Sequence, residues 1–468
     1  MLRLLLLVSA ADAFVGVVRR DFGGVRRLRR AESERVGGVT LLLEAGEGGE
    51  LGDLRDSVLS RQQMIRRSVE AAKAAVASSL LITAVETAGG LQPAEAMLGT
   101  VNSRNKRMNA PSSAGTRVNK DPESLLRLGL PIKSREARAL AAEIEGVKAD
   151  LLVRRLSAVL GHLDNIPSLV DKGRAAILQQ VRADTKARSG KILDEIKDKA
   201  VTMLAVAQEQ APAGSPKDLE DAQKVLTMQS QTSALISELQ ENMVPSGYKV
   251  KTPDDVKGLP KLEGRATVEF TFKKPKGSDE KFELNGVPVD KVTVTMVVDG
   301  YNAPITAGNF IDIIKSGYYN NKVVDRADGF VVQTGKPDEG GPQGFVPQGQ
   351  SEIRTIPLEI FTQADPSPLY HDTSEALGEG AIPPRLPFQA YGALGMARAE
   401  YENDSASSQF FWLLFDSDLT PAGKNFMDGR YTCFGYTITN AESLGGVKEG
   451  DIIESAKVIS GGDKVTTA

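Results

Sequence analysis

The apolar residues of this chain change their spacing once, and that change limits what each half can fold into. Between residues 134 and 243 they recur every three or four positions, and beyond about residue 265 they alternate. A period near 3.6 lines one face of a helix, whereas a period of two lines one face of a strand. Leu140, Ile144, Val147 and Leu151 make a first stripe, which Leu152, Leu156, Val159 and Leu163 repeat after a one-residue shift. One amphipathic helix is therefore expected over residues 134–165, stopped or kinked near Pro167, whose ring removes a backbone donor. A second is expected over about 171–210, with Ile192, Ile196 and Met203 inward. A third opens at Ser215, with Pro216 at its first position and Asp218 placed to complete a capping box. Its stripe is Val225, Met228, Leu235, Leu239 and Met243, and Pro245 ends it. Heptads are not sustained, so a closed antiparallel bundle is favoured over a coiled-coil seam open to a partner.

Residues 246–264 are rich in proline, glycine and charge, and read as a linker. Beyond it "ATVEFTF" and "VTVTMVVDG" are expected strands, and "APITAGNFIDIIKSGYY" a helix capped by Thr306 with Phe310, Ile313 and Ile314 inward. Further strands are expected near 329–334, 392–398, 409–414, 431–436 and 452–458. Many short strands with two helices point to a β-barrel, closed or nearly so. The expected class is thus α+β, a helical bundle followed by a closed barrel with two capping helices. The expected division is a targeting region at 1–96, the bundle at 97–245, the linker at 246–264 and the barrel domain at 265–468.

The targeting region rests on two signal-like units. "MLRLLLLVSAADA" has one early cation, a short apolar run and a small-residue ending, as a secretory signal does. Six arginines between Arg19 and Arg30 follow against the single acid Asp21, the composition of a transit peptide. Then come Arg66 and Arg67, the apolar "AAVASSLLITAV" and a second small-x-small ending at Ala94 to Ala96. This series resembles the layered targeting of thylakoid-lumen proteins in algae with plastids of secondary origin. An amphipathic helix over 58–88 is the competing reading. Cleavage near Ala96 would leave a mature chain starting near Met97, with no apolar run of about 18 residues after it. Such a chain is peripheral to a membrane at most.

Composition narrows the chemistry. A net charge of -4 gives no reason to expect a nucleic-acid partner. Cys433 is the only cysteine, and the two histidines, His162 and His371, are far apart, so thiolate metal sites and serine- or cysteine-histidine catalysis find little support. Cys433 reads as a small buried hydrophobe and Trp412 as core packing. The glycine-rich residues 335–350 end in no Gly-Lys-Ser/Thr and read as a surface loop. "NDS" at Asn403 is a glycosylation sequon only if exposed during secretory transit.

Six stretches then occur in a telling order. "APITAGNFIDII", "RADGFVVQTG", "IPLEI", "GALGMARA", "SSQFFWLL" and "MDGRYTCFG" together resemble the cyclophilins over residues 292–460. The strand entry "GRATV" and "DGYNAPITAGNF", with the helical half before them, resemble a lumenal branch of that family associated with photosystem II assembly. The resemblance implies peptidyl-prolyl cis-trans isomerase activity on proline-containing segments, possible photosystem II subunits as partners, and no cofactor or metal. It places Arg326 at the catalytic position. Phe330, Val331, Gln333, Ala397 and Arg398 fall on groove positions, as do Gln409, Phe411, Phe426, Met427 and Tyr431.

The residue types suit that reaction. Rotation about an X-Pro bond crosses a barrier of about 18–20 kcal/mol without making or cutting any bond. An apolar slot for the ring and a donor aimed at the imide nitrogen are what help, and a rigid, always-charged guanidinium is such a donor. Alternation puts Gln409, Phe411 and Leu413 on one strand face, with Phe410 and Trp412 on the other. Without the resemblance, Arg326 could equally pair with Asp325 or Asp328, and Phe330 and Phe411 would read as core.

Several positions depart from the family pattern. Three residues separate Arg326 from Phe330 where the family has one more. Val331 replaces a methionine, Tyr431 a pocket histidine and Arg398 an asparagine, while Phe426 falls near a tryptophan. Residues 361–388 are an insertion placed to lean over the groove. A non-enzymatic assembly factor with the same groove is therefore the alternative to an isomerase.

Overall fold

The structure is a computed structural model that describes residues 118–467, apart from 210, 211, 213, 285, 342 and 416–424, and three short strands nearer the N-terminus. Those strands, β1 (Leu4–Val8), β2 (Ser33–Val36) and β3 (Val39–Leu43), pair antiparallel in the order β1-β3-β2. They belong to a unit of residues 1–106, separate from the compact unit of residues 107–468. The remainder of the targeting region lies outside the described residues.

Five helices form the helical half: α1 (Pro122–Leu128), α2 (Arg135–Leu152), α3 (Leu156–Gln180), α4 (Lys186–Gln208) and α5 (Pro216–Glu241). Helix α2 packs on α3 and α5, and α4 on the same two, so four long helices enclose one core. Its residues include Leu140, Ile144, Val147, Val159, Leu163, Ile166, Ile192, Ile196 and Met203. The single helix expected over 134–165 is two. Arg154 sits at φ 59°, and the chain reverses there, at the one-residue shift between the stripes. Pro167 lies inside α3 and stops nothing. Burial of Val159, Leu163, Ile166 and Val170 along α3 outweighs one lost backbone bond.

Helix α5 begins as expected, with Ser215 accepting from the Asp218 N–H. The Asp218 carboxylate returns to Gly214 N–H at 2.8 Å instead of to Ser215, one residue earlier than in a capping box. Its inward face differs from the expected stripe. Val225, Ile236, Leu239 and Met243 are buried beside Gln229, Thr232, Ser233 and Gln240, while Met228 and Leu235 are half-buried. Two of the polar members bond across the bundle: Gln229 Nε2 donates to Ile144 O and Gln240 Nε2 to Ala137 O, both at 3.0 Å.

The second half centres on an eight-stranded antiparallel sheet. Its strands are β5 (Arg265–Lys273), β8 (Lys291–Asp299), β9 (Val324–Ala327), β10 (Val331–Thr334), β13 (Ala393–Met396), β14 (Phe410–Leu413), β15 (Cys433–Thr439) and β16 (Ile452–Ser460). Their order is β16-β5-β8-β15-β13-β14-β10-β9. The short strands β4 (Pro260–Leu262), β6 (Phe282–Leu284), β7 (Val287–Val289), β11 (Glu359–Ile360), β12 (Leu369–Tyr370) and β17 (Val465–Thr467) form three flanking pairs. The sheet is curled, and its edges meet at one antiparallel bridge, Val323 to Ile452. There Ile453 N donates to Lys322 O and Val324 N to Asp451 O, both at 2.8 Å.

Alternation sorts the side chains as expected. Phe410 and Trp412 turn into the curl with Phe270, Phe272, Phe310 and Phe434, each such burial contributing about 1.5–3 kcal/mol. Phe411 and Leu413 face outward into a second cluster with Val331, Phe388, Tyr436 and, from α1, Leu125 and Leu126.

One α-helix, α6 (Pro304–Lys315), caps the sheet, and the second expected helix is a 3₁₀ turn at Ala441–Gly446 among the described residues. Thr306 does not cap α6. The N-cap residue is Ala303, and the buried Glu359 carboxylate takes the N–H groups of Ile305 at 3.2 Å and Thr306 at 2.9 Å. Burial pushes that carboxyl above its usual range, against the hydrogen bond it accepts from Tyr370.

The two halves are joined by a buried polar clasp. Arg265 opens β5 and donates to Asp299 Oδ2 from Nε at 2.9 Å and from Nη2 at 2.6 Å. The same guanidinium reaches Glu241 Oε1 at 3.2 Å and the Leu126 carbonyl. Asn302 Nδ2 donates to Gly129 O at 3.0 Å. The "GR" strand entry and the "DGYN" turn are thus the parts of the second half that grip the first.

Candidate active site

Strand register builds the candidate site. Arg326 on β9 stands opposite Gln333 on β10, Gln333 opposite Phe411 on β14, and Phe411 opposite Gly395 on β13. Cross-strand partners share a face, so the guanidinium, the amide and the ring form one row on the outer face of the curl. Gly395 is required there, because the Phe411 ring lies where its Cβ would stand, 2.1 Å away.

The missing residue between Arg326 and Phe330 is absorbed locally. Ala327 pairs with Val332 and Arg326 with Gln333 in regular register from the turn. The strands shift by one residue only beyond that pair, at a bulge between Gln333 and Thr334. The shortened turn runs through Gly329 at φ 84° and is closed by Asp328, whose Oδ1 accepts from the N–H groups of Phe330 and Val331, each at 3.0 Å. Asp328 Oδ2 accepts from Arg326 Nε at 2.7 Å and also contacts Nη2. Burial raises the Asp328 carboxyl pKa, but the N–H groups of Val331 and Phe330 and the Arg326 guanidinium outweigh it and hold it below the usual range.

Gln333 is turned away from the arginine: its Nε2 donates to Gln409 Oε1 at 3.1 Å. Ala397 N donates to Gln409 O at 3.0 Å, tying the end of β13 to the same corner. Tyr431 stands edge-on to Phe411 at 5.8 Å between centroids, and its N–H donates to Met427 O. The Arg398 guanidinium lies 5.0 Å from the Tyr431 ring centre and donates to the carbonyls of Arg430, Ala399 and Glu400. Phe330 is 55% exposed and Phe426 is also exposed, with Phe415 between them. Val331 is buried.

Phe411 itself is only 4% exposed. Phe388, the last residue of the insertion, stacks on it at 6.0 Å and an interplanar angle of 16°. Asp428 holds Phe388 by accepting its N–H at 2.8 Å, and burial pushes the Asp428 carboxyl up to about 6. Asp328, Phe388 and Phe415 escaped the sequence reading as site residues. Only Asp328 left a signal, as a carboxylate two positions from the arginine.

Among the described residues no group of three or more His, Cys, Asp or Glu could hold a metal, and no helix is long and apolar enough to cross a membrane. Cys433 is buried, and burial raises its thiol pKa. Each histidine bridges two carboxylates away from the row: His162 with Glu143 and Asp150, His371 with Asp404 and Asp255.

Comparison with known proteins identifies the family of both halves. Residues 284–467 match the family model "Cyclophilin type peptidyl-prolyl cis-trans isomerase/CLD". Residues 121–244 match "Peptidyl-prolyl cis-trans isomerase CYP38-like, PsbQ-like domain". The chain is 35% identical over 347 residues to the chloroplastic peptidyl-prolyl cis-trans isomerase CYP38 of Arabidopsis thaliana, covering 73% of this chain and 74% of that one. It is 36% identical over 347 residues to a putative thylakoid lumen peptidyl-prolyl cis-trans isomerase of Synechocystis, covering 74% and 84%. A second Arabidopsis relative, CYP37, is 36% identical over 228 residues, covering 48% of this chain and 46% of that one. The chain therefore belongs to the multidomain thylakoid-lumen cyclophilins, in which a PsbQ-like helical domain precedes a cyclophilin-type peptidyl-prolyl cis-trans isomerase domain.

Proposed function

We propose that the protein isomerises X-Pro bonds of lumenal client proteins, with Arg326 as the donor to the imide nitrogen. The row Arg326–Gln333–Phe411 carries this reading, because three neighbouring strands hold donor, amide and ring on one face. Hydrogen bonding to the imide nitrogen favours its pyramidal form, which exists in the twisted transition state and not in either planar ground state. Phe330, Met427, Tyr431 and Ala397 bound the ring's slot, while Gln333 and Gln409 offer amides to the flanking peptide. We further read the curled sheet as a barrel closed through the Val323–Ile452 bridge, and the mature chain as beginning near Met97. The clients include photosystem II subunits, a reading supported by the PsbQ-like match of the helical half.

A second reading has its own observation. With Phe411 covered by Phe388 and Tyr431, the groove would grip proline segments with little turnover, as an assembly factor. A protease-coupled assay on Ala-Pro peptides separates the two. Acceleration above the uncatalysed rate supports the isomerase, and binding of the same peptides without acceleration supports the assembly factor.

A further inference from the structure

Asp328 touches both the arginine and the turn bearing Phe330. Its Oδ1 takes two N–H groups of the shortened turn, and its Oδ2 takes the Nε of Arg326 with a contact to Nη2. A guanidinium offers five N–H donors in a fixed planar fork, so engaging the Nε–Nη2 edge leaves the Nη1 donors free and fixes their direction. The side chain of Arg326 is 57% exposed, and Gln333 is bonded to Gln409 instead of to the arginine. An exposed arginine without a clamp samples many rotamers, and a displaced donor of about 1 Å costs roughly a hundredfold in rate.

We propose that Asp328 is the positioning residue for Arg326, aiming its Nη1 edge across the row toward the proline site. The proposal rests on the reading of Arg326 as the imide donor. It also accounts for the shortened loop: with one residue fewer, the carboxylate that closes the turn comes within reach of the guanidinium.

Asp328→Asn separates the two duties. Asparagine keeps an oxygen for the N–H groups of Phe330 and Val331 but presents an NH₂ where Oδ2 met the guanidinium. The expected result is an unchanged melting temperature, a fall in kcat of about tenfold or more with KM little changed, and an upfield shift of the Arg326 Nε–Hε NMR signal with faster exchange. Asp328→Ala, which also loses the turn cap, is expected to lower the melting temperature as well. Unchanged or raised kcat in Asp328→Asn, or an unmoved Arg326 Nε–Hε signal, overturns the proposal. The signal, assigned by its loss in Arg326→Lys, reports on the clamp whether or not the protein turns over. If it shifts while Arg326→Ala keeps full activity, the clamp stands and the imide-donor reading fails.

Discussion

On the proposed reading Arg326 acts through position, its Nε and Nη2 held by Asp328. Removing a single transition-state donor from a preorganised site costs about 10²–10³ in kcat, and Arg326→Ala is expected to fall in that range with the melting temperature unchanged. Phe388 acts in the opposite sense. Its ring covers Phe411, so Phe388→Ala exposes more apolar floor to a proline ring. The expected outcome is tighter peptide binding, by a few-fold in Kd on calorimetric titration, together with a stability loss of about 3 kcal/mol or more for emptying a buried site. Neither residue was equally legible. Arg326 sits in a recognisable string, whereas Phe388 meets Phe411 only because β13 and the loop before it bring positions far apart in the chain together.

At the scale of elements, the histidine between α2 and α3 gives these helices a pH dependence. The two ring nitrogens of His162 face carboxylate acceptors, Nδ1 at 2.6 Å from Glu143 Oε2 and Nε2 at 3.1 Å from Asp150 Oδ2. The protonated ring therefore donates to both, and Arg155 also reaches Asp150. The hydrogen bond to Glu143 raises its pKa, against the lowering effect of burial. A group whose pKa is higher folded than unfolded stabilises fully below the unfolded value, about 6.5, and loses that contribution as pH rises through the folded value. Replacing His162 by Gln should therefore lower the melting temperature more at pH 5.5 than at pH 8.5. An equal loss at both would leave packing as the explanation.

The same pair of helices shows where periodicity succeeds and fails. Stripes set by Leu140, Ile144, Val147, Val159 and Leu163 are visible because helix packing buries every third or fourth residue. The reversal at Arg154 is written only as a one-residue slip, and Pro167 looks like a stop because its cost is local while α3's burial is spread over 25 residues. Glu359 capping α6 was invisible for another reason: the cap comes from a different strand, 53 residues or more away.

Across the whole molecule, helical half and sheet meet at Arg265. Desolvating a guanidinium is compensated here by Asp299, Glu241 and the Leu126 carbonyl, and removing one partner from such a buried set costs about 3–5 kcal/mol. Arg265→Ala is expected to split thermal unfolding into two transitions, one for each half, where the parent shows one. A single transition at an unchanged temperature would mean that the packing of Leu125 and Leu126 and the Asn302–Gly129 hydrogen bond join the halves without Arg265. The period change in the chain foretold two halves but not this clasp, since "GR" and "DGYN" bear no pattern that names a partner.

The central claim is that one guanidinium, aimed across a row of three strands, lowers the barrier to rotation about a prolyl bond. Exchange NMR on an Ala-Pro peptide, with the parent protein and with Arg326→Ala compared at equal peptide occupancy, tests it most directly. The expected result is cis-trans exchange well above the free-peptide rate with the parent and a loss of about a hundredfold in the variant. Equal exchange rates for the two proteins, or no acceleration by the parent, would contradict it.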